Sequence, residues 1–233
     1  MRRPAGRARL AALGYSEGMR ISPACALVCI AIIACATPAA TAQESQAVTT
    51  VETSQGFRDA ARKNFVGYET RLSTHCPAVT PDWTKATHKI YGTPITGADG
   101  HLSNATWVES VPGTACGEHR RYRVLVTIRS GHAAVAPLLP GESIATPQLE
   151  TDAQMPLLRA TAEFVPKGQT CPVDVLDTKL DGPVPTIARA AWNEIWTVRT
   201  CNRTLNVPIR FVPDVVGEGT SIRIESKAVT VAQ

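Results

Sequence analysis

Two stretches of the chain alternate apolar and polar residues in the same order. Residues 107–129 begin "WVESVPGTAC" and residues 192–214 begin "WNEIWTVRTC". Laid over one another without a gap, Trp107 meets Trp192, Glu109 meets Glu194 and Cys116 meets Cys201. Past the cysteine, Tyr122, Val124 and Val126 fall on Val207, Ile209 and Phe211. Alternate positions of a strand share a face. Each stretch therefore predicts a strand, a turn at the cysteine and a second strand, with one side toward a core. Upstream, "CPAV" from Cys76 resembles "CPVDV" from Cys171, and each leads to a turn, at Gly92 and Gly182.

Before each Cys-Pro the period changes. Phe57, Ala61, Phe65, Tyr68 and Leu72 recur at spacings of three and four, which predicts an amphipathic helix, with Gly67 as its weak point. The segment before Cys171 opens with Thr146 and Pro147, a cap and a first-turn proline, but Pro156 predicts a break or a later start. Ile222 and Ile224 alternate and predict a last strand. The Pro-, Gly- and Ala-rich stretch 130–147 suits a connection. The first copy has 40 positions between its cysteines and the second 30; the excess is assigned to an insertion that includes "TGADGHLSN", with its Asp99-Gly100 turn signal.

The expected fold is α+β, with two tandem similar units over 50–136 and 148–233 joined by a linker over 137–147. Each unit is a helix packed on a small antiparallel sheet and closed by one disulfide. The alternative is a single α+β domain in which strands of both halves merge into one sheet.

Charge and cysteines add the compartment. Arg20 precedes the apolar run "ISPACALVCIAIIACA", and Ala40-Thr41-Ala42 follows, the layout of a secretory signal peptide over 1–42. Met19 is an alternative start. "IIAC" resembles a lipobox, so lipoprotein cleavage before Cys35 is the other processing route, and would tether the protein to a membrane surface. The net charge of +4 lies wholly in this leader, which has five arginines and one glutamate. The remaining chain has 19 basic and 19 acidic residues, so a nucleic-acid partner is not expected. "HRRYR" at 119–123 reads as a solvated strand edge.

Three of the seven cysteines lie in the leader, leaving Cys76, Cys116, Cys171 and Cys201. An even count in an exported chain implies two disulfides with three possible connectivities. Equivalent cysteines should form equivalent bonds, which favours Cys76–Cys116 with Cys171–Cys201. A strand-exchanged pairing, Cys76–Cys201 with Cys116–Cys171, keeps the symmetry and is the rival. The third would make equivalent positions meet across an axis.

The chain lacks the Gly-x-Ser-x-Gly elbow of a serine hydrolase and the Cys-x-x-Cys of a disulfide exchanger. The best metal set from spacing is Cys2His2, with Cys116 and His119 or His75 beside Cys76. An oxidising compartment favours the bridge, and Thr204 stands where the second copy would need His119, so no metal or cofactor is expected. Glu109 and Glu194 could serve as paired carboxylates of a glycosidase. Their place beside Trp107 and Trp192 favours a structural role, with the carboxylate accepting hydrogen bonds from a turn or arginine. Trp83, Trp107, Trp192 and Trp196 could form an aromatic binding platform, although core positions suit them better. The expected function is a noncatalytic envelope protein, periplasmic, secreted or an outer-membrane lipoprotein, that binds a protein partner or cell-wall glycan. The alternative is an envelope polysaccharide hydrolase.

Overall fold

The computed structural model describes residues 38–72, 76, 78–187, 189–217 and 219–232. The leader cysteines Cys25, Cys29 and Cys35 and the candidate ligand His75 lie outside the described residues. The chain forms two similar tandem units, each a helical layer on its own antiparallel sheet and each closed by one disulfide. The sheets are separate rather than merged.

The first repeat opens with α1 (Pro38–Thr53) and α2 (Gln55–Leu72), so α1 begins before the cleavage point expected after Ala42. Ser54 divides the helices, and its hydroxyl accepts from the Phe57 amide at 3.3 Å. The predicted stripe of Phe57, Ala61, Phe65, Tyr68 and Leu72 is buried along its whole length. It packs on β1 (Val79–Pro81), β2 (Thr87–Ile90), β3 (Ile95–Thr96), β4 (Leu102–Ala115), β5 (Glu118–Arg129) and β6 (His132–Pro137). Strand β4 pairs with β5 on one side and with β1, β2 and β3 in turn on the other, while β6 completes the opposite edge.

The second repeat carries α3 (Pro147–Thr161), β7 (Val173–Leu180), β8 (Trp192–Thr200), β9 (Arg203–Pro213), β10 (Thr220–Ile224) and β11 (Thr230–Val231). Its sheet runs β10-β9-β8-β7, with β11 also on β9. Register proves the repeat: Trp107 opposes Val126 and Trp192 opposes Phe211, while Glu109 opposes Val124 and Glu194 opposes Ile209. Cys116 and Cys201 each open the hairpin turn with φ near +50°. The bridges are Cys76–Cys116 and Cys171–Cys201, the pairing favoured by equivalence. Two such bonds suit an oxidising compartment. Among the described residues no helix is long and apolar enough to cross a membrane.

Register also places the length difference. His88 opposes Glu109 and Leu180 opposes Glu194. From His88 to Glu109 is 21 residues against 14 from Leu180 to Glu194, so most of the excess lies between β2 and β4. The rest forms the 3₁₀ turn Trp83–Lys85, capped by Asp82.

Three local expectations are corrected. Helix α3 is capped by Thr146 as expected, but it runs through Pro156 without a break. That residue lacks the N–H that would bond the Asp152 carbonyl, yet Ala153, Leu157 and Ala160 bury the helix on both sides of it. Residues 132–137 form the edge strand β6, because the Ser130-Gly131 turn, with φ positive at both, folds them back onto β5. "HRRYR" is the edge portion of β5 beyond the reach of β6, but its Tyr122 and Arg123 are not solvated. Tyr122 is buried against the helices, and Arg123 on the opposite face forms a buried 2.5 Å ion pair with Glu150 of α3.

That ion pair is one of several bonds between the repeats. The Tyr68 hydroxyl donates to the Val175 carbonyl at 2.5 Å, and Arg199 donates to the carbonyl of Leu72. The connector is itself clamped. The Leu138 and Gly141 amides donate to Arg123 and Arg121 carbonyls of β5. One residue on, the Glu142 amide donates to the Thr178 carbonyl of β7 at 2.6 Å, and the Thr178 hydroxyl donates to the Pro140 carbonyl at 2.7 Å. Gly141 sits at the crossing with φ +99°, and a Cβ there would come within 2.2 Å of the Thr178 carbonyl oxygen.

Gly141→Ala therefore has neither room nor an allowed conformation, and we expect it to destabilise the protein by roughly 2–4 kcal/mol in denaturant titration. Gly100→Ala, with positive φ but open space, should cost about 1 kcal/mol. Proteolysis of the non-reduced protein should release Cys76–Cys116 and Cys171–Cys201 peptides; a crossed pair would refute the repeat boundaries.

Candidate functional site

Each sheet buries one glutamate on its helix-facing side, at the same register position: Glu109 is 2% exposed and Glu194 is fully buried. Both lie two residues past a tryptophan, so the indole and the carboxyl share a strand face. In the second repeat the carboxylate is saturated. Trp192 Nε1 donates to Glu194 Oε1 at 2.9 Å and Trp196 Nε1 to Oε2 at 2.8 Å. The Ser143 hydroxyl and the Ile144 amide, from the turn before α3, both donate to Oε1 at 3.1 Å. Four donors meet one buried carboxyl, so the fold itself fills its hydrogen-bonding capacity.

The first repeat keeps the glutamate and loses most of the donors. Val111 stands where the second repeat has Trp196, so one indole remains, with Trp107 Nε1 donating to Glu109 Oε2 at 3.1 Å. The segment before α2 supplies Glu52, a second carboxyl, where the other repeat supplies a hydroxyl and an amide. Position 88 is histidine where the second repeat has Leu180. His88 Nδ1 lies 2.7 Å from Glu52 Oε1, with side chains 30% and 15% exposed. That oxygen is sealed from solvent and has no hydrogen bond unless a proton sits on His88 Nδ1 or on the Glu109 carboxyl.

Burial comes first, and the neighbouring Glu52 second, in pushing the Glu109 carboxyl up to about 9 from an ordinary 4.5, while the Trp107 indole opposes the rise. At neutral pH Glu109 is thus held as a neutral acid. Other buried carboxylates are matched differently. Glu150 has Arg123, and Glu69 accepts from the Tyr122 hydroxyl at 2.9 Å with Arg120 3.5 Å away. In the Glu109 cluster the neighbours are instead a second carboxyl and an imidazole. Among the described residues it is also the one group of three or more His, Cys, Asp or Glu whose ligating atoms lie within 4.8 Å of each other.

The other sequence candidates are placed as follows. Cys76 and Cys116 are bridged, so the Cys2His2 set with His119 does not form. Glu109 and Glu194 contact different partners on different sheets, and neither lines the clefts described below. Trp107 and Trp196 are fully buried, so Trp196 offers no face to a ligand. Trp83 is half-buried against Phe57 and Phe65, with the Arg58 guanidinium 5.6 Å from its ring centre, and Trp192 stacks on Phe211 at 4.8 Å. Sequence reasoning missed Glu52 and His88. A signal for His88 existed in the alternation of "THKI", but its partner across the sheet is hidden by the unequal loops of the two copies.

The opposite face of β4 borders a cleft of about 390 Å³ between the repeats. Thr87, Lys89, Ser110 and Arg121 line it from the first repeat, and Leu180 and Val184 from the second. Ser143, Ile144 and Ala145 of the connector form its floor, and Lys89, Ile144 and Val184 continue into a second cleft beside Trp192.

The two equivalent glutamates should respond differently to the same substitution. Glu109→Gln replaces a neutral acid by a neutral amide and should change stability by no more than about 1 kcal/mol at neutral pH, whereas Glu194→Gln must set its NH2 group against a buried N–H donor and should cost roughly 2–3 kcal/mol. The raised pKa means that the folded state holds a proton the unfolded state has released. The Glu109 contribution is therefore full below about 4.5 and is lost as pH rises through about 9. With chelator present, the melting temperature of the wild type should fall across that window more steeply than that of Glu109→Gln.

Comparison with protein families, with characterised proteins and with solved structures finds no match to this chain.

Proposed function

We propose that the protein is a noncatalytic binding protein of the bacterial cell envelope, exported by its leader to the periplasm or beyond, which takes a carboxylate-bearing segment of cell-wall glycan in the cleft between its repeats. The observation that carries this reading is the lining of that cleft. Hydroxyls of Thr87 and Ser110 and the cations Lys89 and Arg121 share the lining with apolar Val108, Leu180 and Val184. Lys89 Nζ stands 5.4 Å above the Tyr91 ring, a cation and an aromatic face together at the cleft. Arg121 meets Glu142 at 3.6 Å, with side chains 34% and 58% exposed. Such an exposed pair contributes little to stability, so Arg121 can exchange Glu142 for a ligand carboxylate at small cost. Connector and second repeat complete the walls, which gives the duplication a purpose: one repeat alone has half a cleft.

Calorimetric titration with soluble cell-wall glycan fragments should give saturable binding, weakened at least about fivefold by Lys89→Ala or Arg121→Ala, with carboxyl-reduced fragments binding wild type as weakly. Absence of glycan binding together with retention of an envelope protein would replace the ligand by a protein partner. Release of reducing ends would replace binding by hydrolysis. The mass of the mature N-terminus separates cleavage after Ala42 from lipidation at Cys35.

A further inference from the structure

We propose that Glu52, His88 and Glu109 form a binding site for a first-row transition-metal dication, with Zn²⁺ as the representative ion. Three elements that are separate in sequence, α1, β2 and β4, converge to place two carboxyls and one imidazole nitrogen with their ligating atoms within 4.8 Å of each other. Tetrahedral ligands at 2.0–2.1 Å from Zn²⁺ stand about 3.3 Å apart, so small side-chain rotations suffice. One nitrogen and two carboxylates suit Zn²⁺ or Mn²⁺, whereas Mg²⁺ and Ca²⁺ favour oxygen alone.

Comparison between the repeats supplies the independent argument. The same buried glutamate in the second repeat is met by four hydrogen-bond donors and by Leu180 across the sheet. In the first, each replacement changes a donor or an inert group into a metal ligand or removes a donor: Glu52 for Ser143 and Ile144, His88 for Leu180, Val111 for Trp196. A simple structural role would need only the arrangement of the second repeat. Glu52 Oε1 is buried without a committed donor and points into the cluster, and a cation satisfies both carboxyls at once. Trp107 already supplies the outer-shell contact, since its indole donates to Glu109 Oε2 and orients that carboxyl. His88, 30% exposed, leaves the cluster a side open to solvent, through which an ion and a coordinated water can enter.

Glu52 and Glu109 lie on the helix-facing side of β4, away from the glycan cleft, while His88 also borders that cleft; Lys89→Ala and Arg121→Ala leave all three ligands in place, so the two proposals fail independently.

The test uses the full mature chain, stripped with EDTA and titrated with Zn²⁺, Mn²⁺ and Mg²⁺. Zn²⁺ should bind at about one equivalent and raise the melting temperature by several degrees at saturating concentration, and Mg²⁺ should do neither. His88→Leu, which installs the residue of the second repeat, should weaken Zn²⁺ binding at least about tenfold while leaving circular dichroism and the disulfide map unchanged. Glu109→Gln gives a second variant should His88→Leu fail to fold. Co²⁺ should quench indole emission in the wild type and not in either variant. Equal Zn²⁺ affinity in wild type and both variants, or no saturable binding up to about 1 mM, overturns the proposal and leaves a proton-sharing Glu52–Glu109 pair steadied by His88.

Discussion

A carboxylate sealed beneath a sheet must be met by donors or by charge, and both halves of this protein are organised around that requirement. In each repeat a tryptophan two residues along the same strand donates its indole N–H to the glutamate. The remaining valences have to be met by the segment that leads into the main helix, which fixes where that segment crosses the sheet. In the second repeat the turn before α3 brings Ser143 and Ile144 to Glu194. In the first, the end of α1 brings Glu52 to Glu109. The central hairpins and the bridges match in register; what differs is the chemistry used to satisfy one buried group.

This constraint also explains what could be read from the chain and what could not. Trp107, Glu109 and Cys116 announce their counterparts because a strand repeats every two residues and the hairpins are equal in length, so register survives in plain sequence. The disulfide pairing and the stripe from Phe57 to Leu72 follow from the same regularity. The connection 130–147 misleads because Ala, Pro and Gly carry little periodic signal. Residues 132–137 are a strand made by its partner β5, and residues 138–142 are held by backbone bonds to Arg121, Arg123 and Thr178. Pro156 misleads for a related reason, since burial of Leu157 and Ala160 outweighs the hydrogen bond it deletes. Glu52 and His88 were illegible because a site assembled across α1, β2 and β4 depends on loop lengths that differ between the copies.

Joining the repeats required polar bonds where each surface alone would have met water. Arg123 and Glu150 are both nearly fully buried, one on each repeat, and neither would be tolerated in that state without the other. Burial still raises the Glu150 carboxyl despite the guanidinium beside it. Tyr68 plays the same part from α2, its hydroxyl committed to a carbonyl of β7 and its proton held tightly by burial. Such bonds contribute little net free energy but penalise any other seating of the repeats, so the cleft between them keeps one shape.

The two bridges close in succession along the chain, with neither spanning the other. A polypeptide is made from its N-terminal end, so Cys76 and Cys116 become available before Cys171 and Cys201 exist to compete. The first loop can lock while the second repeat is still unmade, and the next pair then has only itself to find. Serial placement thus spares the protein most of the shuffling among three connectivities that four simultaneous thiols would face. The order of the cysteines along the chain matches the order in which the two repeats are completed.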